Sequence, residues 1–202
     1  MATLRLTTLG VGAMRSPRHA PAGLLVEYDG VRVMIDGGPG ADPTGRLDAW
    51  LVTDERAELG PAIRRLARAR GLEAEARPFS KGDLAIERHA VVHTSHPAYG
   101  YRIRAGHATA AWAPEFWEFP HWADAADLLF AEAAGWTRRI AFAGGVGGHM
   151  DALSVCREAK RRGVRRLVLA HIGRSTIRAR EAGEAPPFGD FGDDGRVYRL
   201  RV

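Results

Sequence analysis

An apolar run with no outward-facing polar residue constrains this chain most: within Val164 to Ala170, Leu167, Val168 and Leu169 stand in succession. A strand that is apolar on both sides of its pleat belongs in a sheet covered on both faces. Just before it, Met150 to Arg162 places Ala152, Val155, Cys156 and Ala159 on one side at the helical period. Asp151 lies in the first turn of that segment, and Gly163 stands where a helix stops. Helix followed by buried strand is a unit of an α/β layer architecture. Two histidines bracket it. His149 follows the glycine-rich stretch Gly144 to Gly148 and precedes the helix, and His171 comes just past the strand, where α/β sheets present their chemistry. Taken alone, the pair reads more simply as a capping histidine and a strand-end histidine, because no motif makes this spacing a ligand pair.

The rest of the chain supplies further strands and helices. Leu4, Leu6 and Leu9 mark a first strand ending at Gly10-Val11-Gly12, and Asp29-Gly30 joins Gly23–Tyr28 to Val31–Ile35 as a hairpin. Leu47 to Thr53 reads as a buried strand, and Pro61 to Arg70 as a helix turning Ile63, Leu66 and Ala67 inward. His89–Thr94, Tyr99–Arg104, Thr109–Ala113 and Ala126–Ala131 follow as strands, the last ending at Glu132. Arg174 to Glu181 reads as helical, and Arg196 to Val202 alternates like an edge strand. Hairpins first and helix–strand alternation later predict helices packed outside β-sheets, and 202 residues suit a single domain, 1–202. A chain with 46% hydrophobic and 26% charged residues is not one that stays disordered. The single cysteine, Cys156, allows no internal disulfide, and no apolar run approaches a membrane span, so the expectation is a soluble, cytoplasmic protein without a membrane partner. The net charge of +5 favours phosphate-bearing partners. Its arginines are spread along the chain, so nucleic acid as a partner has only weak support.

These segments, in this order, resemble the metallo-β-lactamase superfamily, and within it the ribonuclease Z and cyclic-phosphodiesterase-like branch. The resemblance rests on Leu-Thr-Thr-Leu-Gly-Val-Gly at the start, Ile35-Asp36-Gly37-Gly38, the strand Leu47 to Thr53, His93 to Arg102, Asp127 to Glu132, His149, and Leu167 to Ile172. It implies an α/β fold of four layers, an αββα sandwich. The family's metal loop follows a threonine and has the form His-x-His-x-Asp-His. Here Thr53 is followed by Asp54-Glu55-Arg56-Ala57-Glu58-Leu59. The three histidine positions therefore carry Asp54, Arg56 and Leu59, and the aspartate position carries Glu58. A permanent charge on Arg56 where a cation should sit argues against an intact two-metal site. Later ligands persist: the resemblance assigns metal-binding positions to His93, with His96 as a competing assignment, to Glu115 in place of a bridging aspartate, and to His171. It assigns His149 and Glu132 to the pair that handles protons.

What the resemblance implies is a metal-dependent hydrolase of phosphodiester or other ester bonds with a reduced, mononuclear site. One zinc or manganese ion would sit among His93 or His96, Glu115 and His171, with Asp54 as an added carboxylate. Such an ion lowers the pKa of water to about 7, while His149 serves as general acid with Glu132 orienting its ring. The substrate would be a small or phosphate-bearing molecule. The alternative is a binding or accessory protein on the same fold that holds no ion, its pocket taking an anion through Arg56 and the glycine loop.

Overall fold

The computed structural model describes residues 2–202. A first sheet begins with β1 (Thr3–Gly10), β2 (Gly23–Tyr28), β3 (Val31–Asp36), β4 (Ala49–Leu51) and β5 (Ala74–Glu75). The second takes β6 (Phe79–Lys81), β7 (Leu84–Val91), β8 (Ala98–Ala105), β9 (Ala108–Ala113) and β10 (Leu128–Ala133). A short ribbon, β11 (Ile140–Ala141) with β12 (Gly148–His149), precedes β13 (Leu167–Ile172) and β14 (Asp190–Phe191), which join the second sheet. Finally β15 (Arg196–Arg201) returns to the first, giving the orders β15-β1-β2-β3-β4-β5 and β14-β13-β10-β9-β8-β7-β6. The β2–β3 hairpin turns on Asp29 and Gly30, both at positive φ (47° and 74°), which matches the twist of the flanking strands.

The inner faces of the two sheets meet in one core, with Leu6, Val26 and Ile35 from the first and Ile103, Trp112 and Phe130 from the second. Helix α1 (Gly60–Arg68) covers the outside of the first sheet, packing Ile63 and Ala67 with Met34 and Trp50. Helix α2 (Ala152–Arg161) starts at Asp151, whose carboxylate accepts the Ser154 N–H at 2.8 Å, and lays Val155, Cys156 and Ala159 against β10 and β13. Helix α3 (Arg174–Glu181) is tied to the end of β10 by the Thr176 hydroxyl, which donates to the Ala133 carbonyl at 2.7 Å. The layers run α, β, β, α, the expected sandwich. No described helix is long and apolar enough to cross a membrane.

Among the boundaries that differ from the sequence pattern, three fall at one end of the second sheet. The strand expected to run to Thr94 stops at Val91, because the Val92 carbonyl accepts from Trp117 N–H and the His93 carbonyl from Gly148 N–H, so His93 lies in a loop. Glu132 lies inside β10, one residue before its end. His171 lies inside β13 at a bulge: Ala131 pairs with Leu169 but Ala133 pairs with Ile172, so β13 carries one extra residue, and His171 takes φ of 54°. A β-bulge re-aims a side chain, and a non-glycine residue at positive φ costs about 1–3 kcal/mol that surrounding structure must offset.

Asp36 fastens the two sheets together near that end. Its carboxylate accepts the Thr53 N–H at 2.7 Å on one oxygen and the indole N–H of Trp112, from the opposite sheet, at 2.7 Å on the other. Burial pushes the Asp36 carboxyl up to about 6 despite these hydrogen bonds, against 3.8 ordinarily. The folded state then binds more protons than the unfolded chain between those values, so Asp36's contribution to stability falls as pH rises through that window. Urea unfolding should show the stability advantage of wild type over Asp36→Asn shrinking between pH 3.8 and about 6 and constant above it.

Candidate active site

Parallel strands deliver functional groups to the same end of a sheet, and β9, β10 and β13 are parallel. Glu115 follows β9 across Pro114, while Glu132 and His171 stand near the ends of β10 and β13. Side chains alternate along a strand, so Glu132 shares the face of Phe130, which packs on Trp112 and Tyr198 in the inter-sheet core. It is fully buried. One Glu132 oxygen accepts the Ala134 N–H at 2.8 Å and faces His171 Nδ1 at 3.3 Å. The other accepts the Phe116 N–H at 3.3 Å and faces His149 Nδ1 at 2.7 Å.

Glu115 completes the arrangement from the other side. Its oxygens lie 2.8 Å from His171 Nε2 and 3.4 Å from His93 Nε2. The His93 Nδ1 is 2.9 Å from the Gly148 carbonyl, and a carbonyl only accepts, so that nitrogen carries the proton. His93, His149 and His171 lie side by side, with ring centroids 4.8 Å and 5.3 Å apart in turn. Each is held at Nδ1 by an oxygen and turns Nε2 away, the way proteins orient histidines that bind metals. Burial works against the charge on Glu115, but His171 above all, with His93 and His149, outweighs it and holds the carboxyl well below the usual range. Burial likewise opposes the charge on His171, yet Glu115 and then Glu132 push it up to about 10. Glu132 is held below its ordinary value by His149 and His171 against the cost of burial.

Among the described residues, Glu132, His149 and His171 are the one group whose donor atoms all lie within 4.8 Å of one another. Four donors already occupy both Glu132 oxygens, away from solvent, and two of them are the rings of His149 and His171. The nitrogen and oxygen donors that remain, His Nε2 atoms and the Glu115 carboxylate, suit a zinc or manganese ion.

Solved structures of other proteins share this architecture. The metallo-β-lactamase fold protein YhfI from Bacillus subtilis matches with a TM-score of 0.75 and 17% identity, over 99% of this chain and 100% of that one. The chain has the metallo-β-lactamase fold. A diphosphatase from the PhnP family matches with a TM-score of 0.75 at 18% identity, covering 99% of this chain and 98% of its own. The short form of human tRNase Z matches at 0.69 and 14%, covering 98% and 100%. No family model and no curated protein matches the sequence.

The segment after Thr53, where the resemblance places the family's metal loop, is built around Asp54. Asp54 is buried and faces His96 Nε2 with both oxygens, at 3.0 and 2.9 Å, while accepting the Arg56 N–H at 2.7 Å. That Asx turn sends Arg56 outward. Arg56 is exposed and lines an outer groove with Arg64, Arg68 and Glu73, so the expectation of its charge at the metal position is overturned. Glu58 pairs with Arg15 at 3.0 Å in solvent. His96 and Asp54 thus form a closed pair, and His93 is the histidine brought beside Glu115. The glycine loop has a packing role that sequence alone did not reveal. A Cβ on Gly147 would lie 2.2 Å from the His93 carbonyl and one on Gly148 1.9 Å from the Ile140 carbonyl, with φ of 129° and 143°. Only glycine lets the ribbon lie against His93, and the Gly148 N–H donates to the His93 carbonyl and is not free for a phosphate. Asp36 also escaped assignment, although an aspartate before Gly37-Gly38 at a strand end was its signal.

Glu132→Gln replaces an acceptor with a donor among four donors, so it should lower the unfolding free energy by about 1–3 kcal/mol. In protein stripped of metal, imidazole ¹⁵N shifts should show His171 doubly protonated at neutral pH. Its stabilising pairing should be fully present below the ordinary histidine value of 6.5 and lost as pH rises through about 10.

Proposed function

We propose that the protein is a hydrolase of phosphodiester or other ester bonds that works with one divalent ion, zinc or manganese, held by His93, Glu115 and His171. The observation that carries this reading is the common orientation of three imidazoles, each fixed at Nδ1 by the Gly148 carbonyl or Glu132, around the Glu115 carboxylate. When bound, the ion supplies Lewis-acid chemistry, polarising the ester or phosphoryl oxygen and making water a better nucleophile near neutral pH. His149 has no second protein partner at Nε2 among the described residues, so a proton held there can pass to the departing oxygen. Glu132 is a positioning residue: it fixes the His149 ring through Nδ1. With Asp54 closed on His96 and Leu59 at a histidine position, a second ion lacks ligands, and turnover should be modest. The relatives in structure include proteins described as a diphosphatase and a tRNase Z, which supports a small or phosphate-bearing substrate.

A second reading draws on the 2.8 Å His171–Glu115 contact. There a proton satisfies both groups without an ion, as it would in a non-catalytic accessory protein. Metal analysis of protein purified without chelator or histidine tag separates the two: about one equivalent is expected for the hydrolase, none for the accessory protein. His171→Ala should lower both metal content and ester hydrolysis. His149→Ala should keep the metal and slow turnover by roughly 10²–10⁴-fold. Absence of metal together with unchanged hydrolysis across both variants would leave the accessory reading standing.

A further inference from the structure

A cavity of about 80 Å³ opens beside Glu115 and His171, and its chemistry is one-sided. Met14, Ala22, Ala57, Leu59, Ile63 and Pro114 contribute apolar side chains to its wall. No lysine or arginine lines it. The acids that do are Asp36, occupied by Thr53 and Trp112, Glu58, paired with Arg15, and Glu115, engaged by His171. In the metal-free protein the one cationic group on the wall, His171, is already paired with Glu115, so an anionic substituent placed there would face Asp36, Glu58 and Glu115 with no unpaired cation, and a polar one would lose its water without gaining a partner. An uncharged aliphatic group gains by leaving water.

We infer that this cavity is the subsite for a short aliphatic group, about three or four carbons long, attached beside the ester bond. The hydrolysis rests on the hydrolase reading, whereas the subsite's binding does not. An apolar cavity of about 150 Å³ admits benzene, so one of roughly half that size takes about half of benzene's six carbons. The bond cleaved is the ester: one water adds, its oxygen to the acyl or phosphoryl centre and its proton to the departing alcohol, and no other reactant is needed. Leu59 contributes one of the larger aliphatic side chains to the wall of the subsite. It stands at a position where the family resemblance predicts a metal-binding histidine, and it puts a branched hydrocarbon where a charge would be.

The test is a titration with N-alkylacetamides, methyl to hexyl, which imitate an ester but lack its scissile bond. Methyl chemical shifts of Met14, Leu59 and Ile63 report binding in protein treated with chelator. The dissociation constant should fall about fourfold per added carbon, the factor that corresponds to about 0.8 kcal/mol per buried methylene, and stop falling near propyl or butyl. Leu59→Trp should abolish the dependence on chain length, and Leu59→Ala should move the break to longer chains. Leu59 is only partly buried; should its tryptophan variant fail to fold, Met14→Trp, at a residue 52% exposed, blocks the same mouth. A flat series, or tighter binding of the homologue ending in a carboxylate, overturns the subsite. Since the titration needs neither metal nor turnover, it answers even if no ester is cleaved. Ester hydrolysis indifferent to chain length would overturn the subsite and leave the hydrolase intact.

Discussion

Glu132 accepts four donors in a place water does not reach, and the geometry of the centre depends on that. An ionised carboxylate buried without partners costs several kcal/mol, so this one is tolerable only because two backbone N–H groups and two imidazoles converge on it. The convergence is a consequence of the backbone. The extra residue in β13 turns His171 out of the strand's alternation and brings Nδ1 toward Glu132. The close approach at Gly147 and Gly148 brings the ribbon carrying His149 against the loop carrying His93. The positive φ of His171 and the burial of Glu132 are thus joined by one contact, with the rest of the strand offsetting the strain.

A second buried carboxylate, Asp36, is organised differently and has a different consequence. Its partners are neutral, Thr53 and Trp112, so no opposite charge offsets its burial and its carboxyl stays easier to protonate than usual. It belongs to the fastening of one sheet to the other. The two acids show how environment divides roles among like residues: Glu132 keeps its charge and orients imidazoles, and Asp36 gives up part of its acidity to hold the sheets in register. Asp36 also lines the small cavity beside Glu115 and His171, to which the loop after β4 contributes Ala57 and Leu59.

The sequence by itself determined most of the strands and helices and that the helices pack outside the sheets. Hydrophobic periodicity reports which face of an element is buried, and it was sufficient for the Asp29-Gly30 hairpin, for α2 and for the doubly buried β13. It also put Glu115, Glu132, His149 and His171 at the ends of elements, and the resemblance added an order that made their meeting expected. Tertiary structure decided everything that depends on distances between remote segments. The bulge at His171 leaves the apolar pattern of β13 unchanged, so periodicity cannot register it, yet it sets where the imidazole points. The pairing of His96 Nε2 with Asp54 joins residues 42 apart in sequence, and the same aspartate turned Arg56 to solvent. Composition and spacing say which groups a chain owns. Which of them stand within hydrogen-bonding reach is fixed by strand register and by close backbone approaches, which are non-local and invisible until the chain is folded.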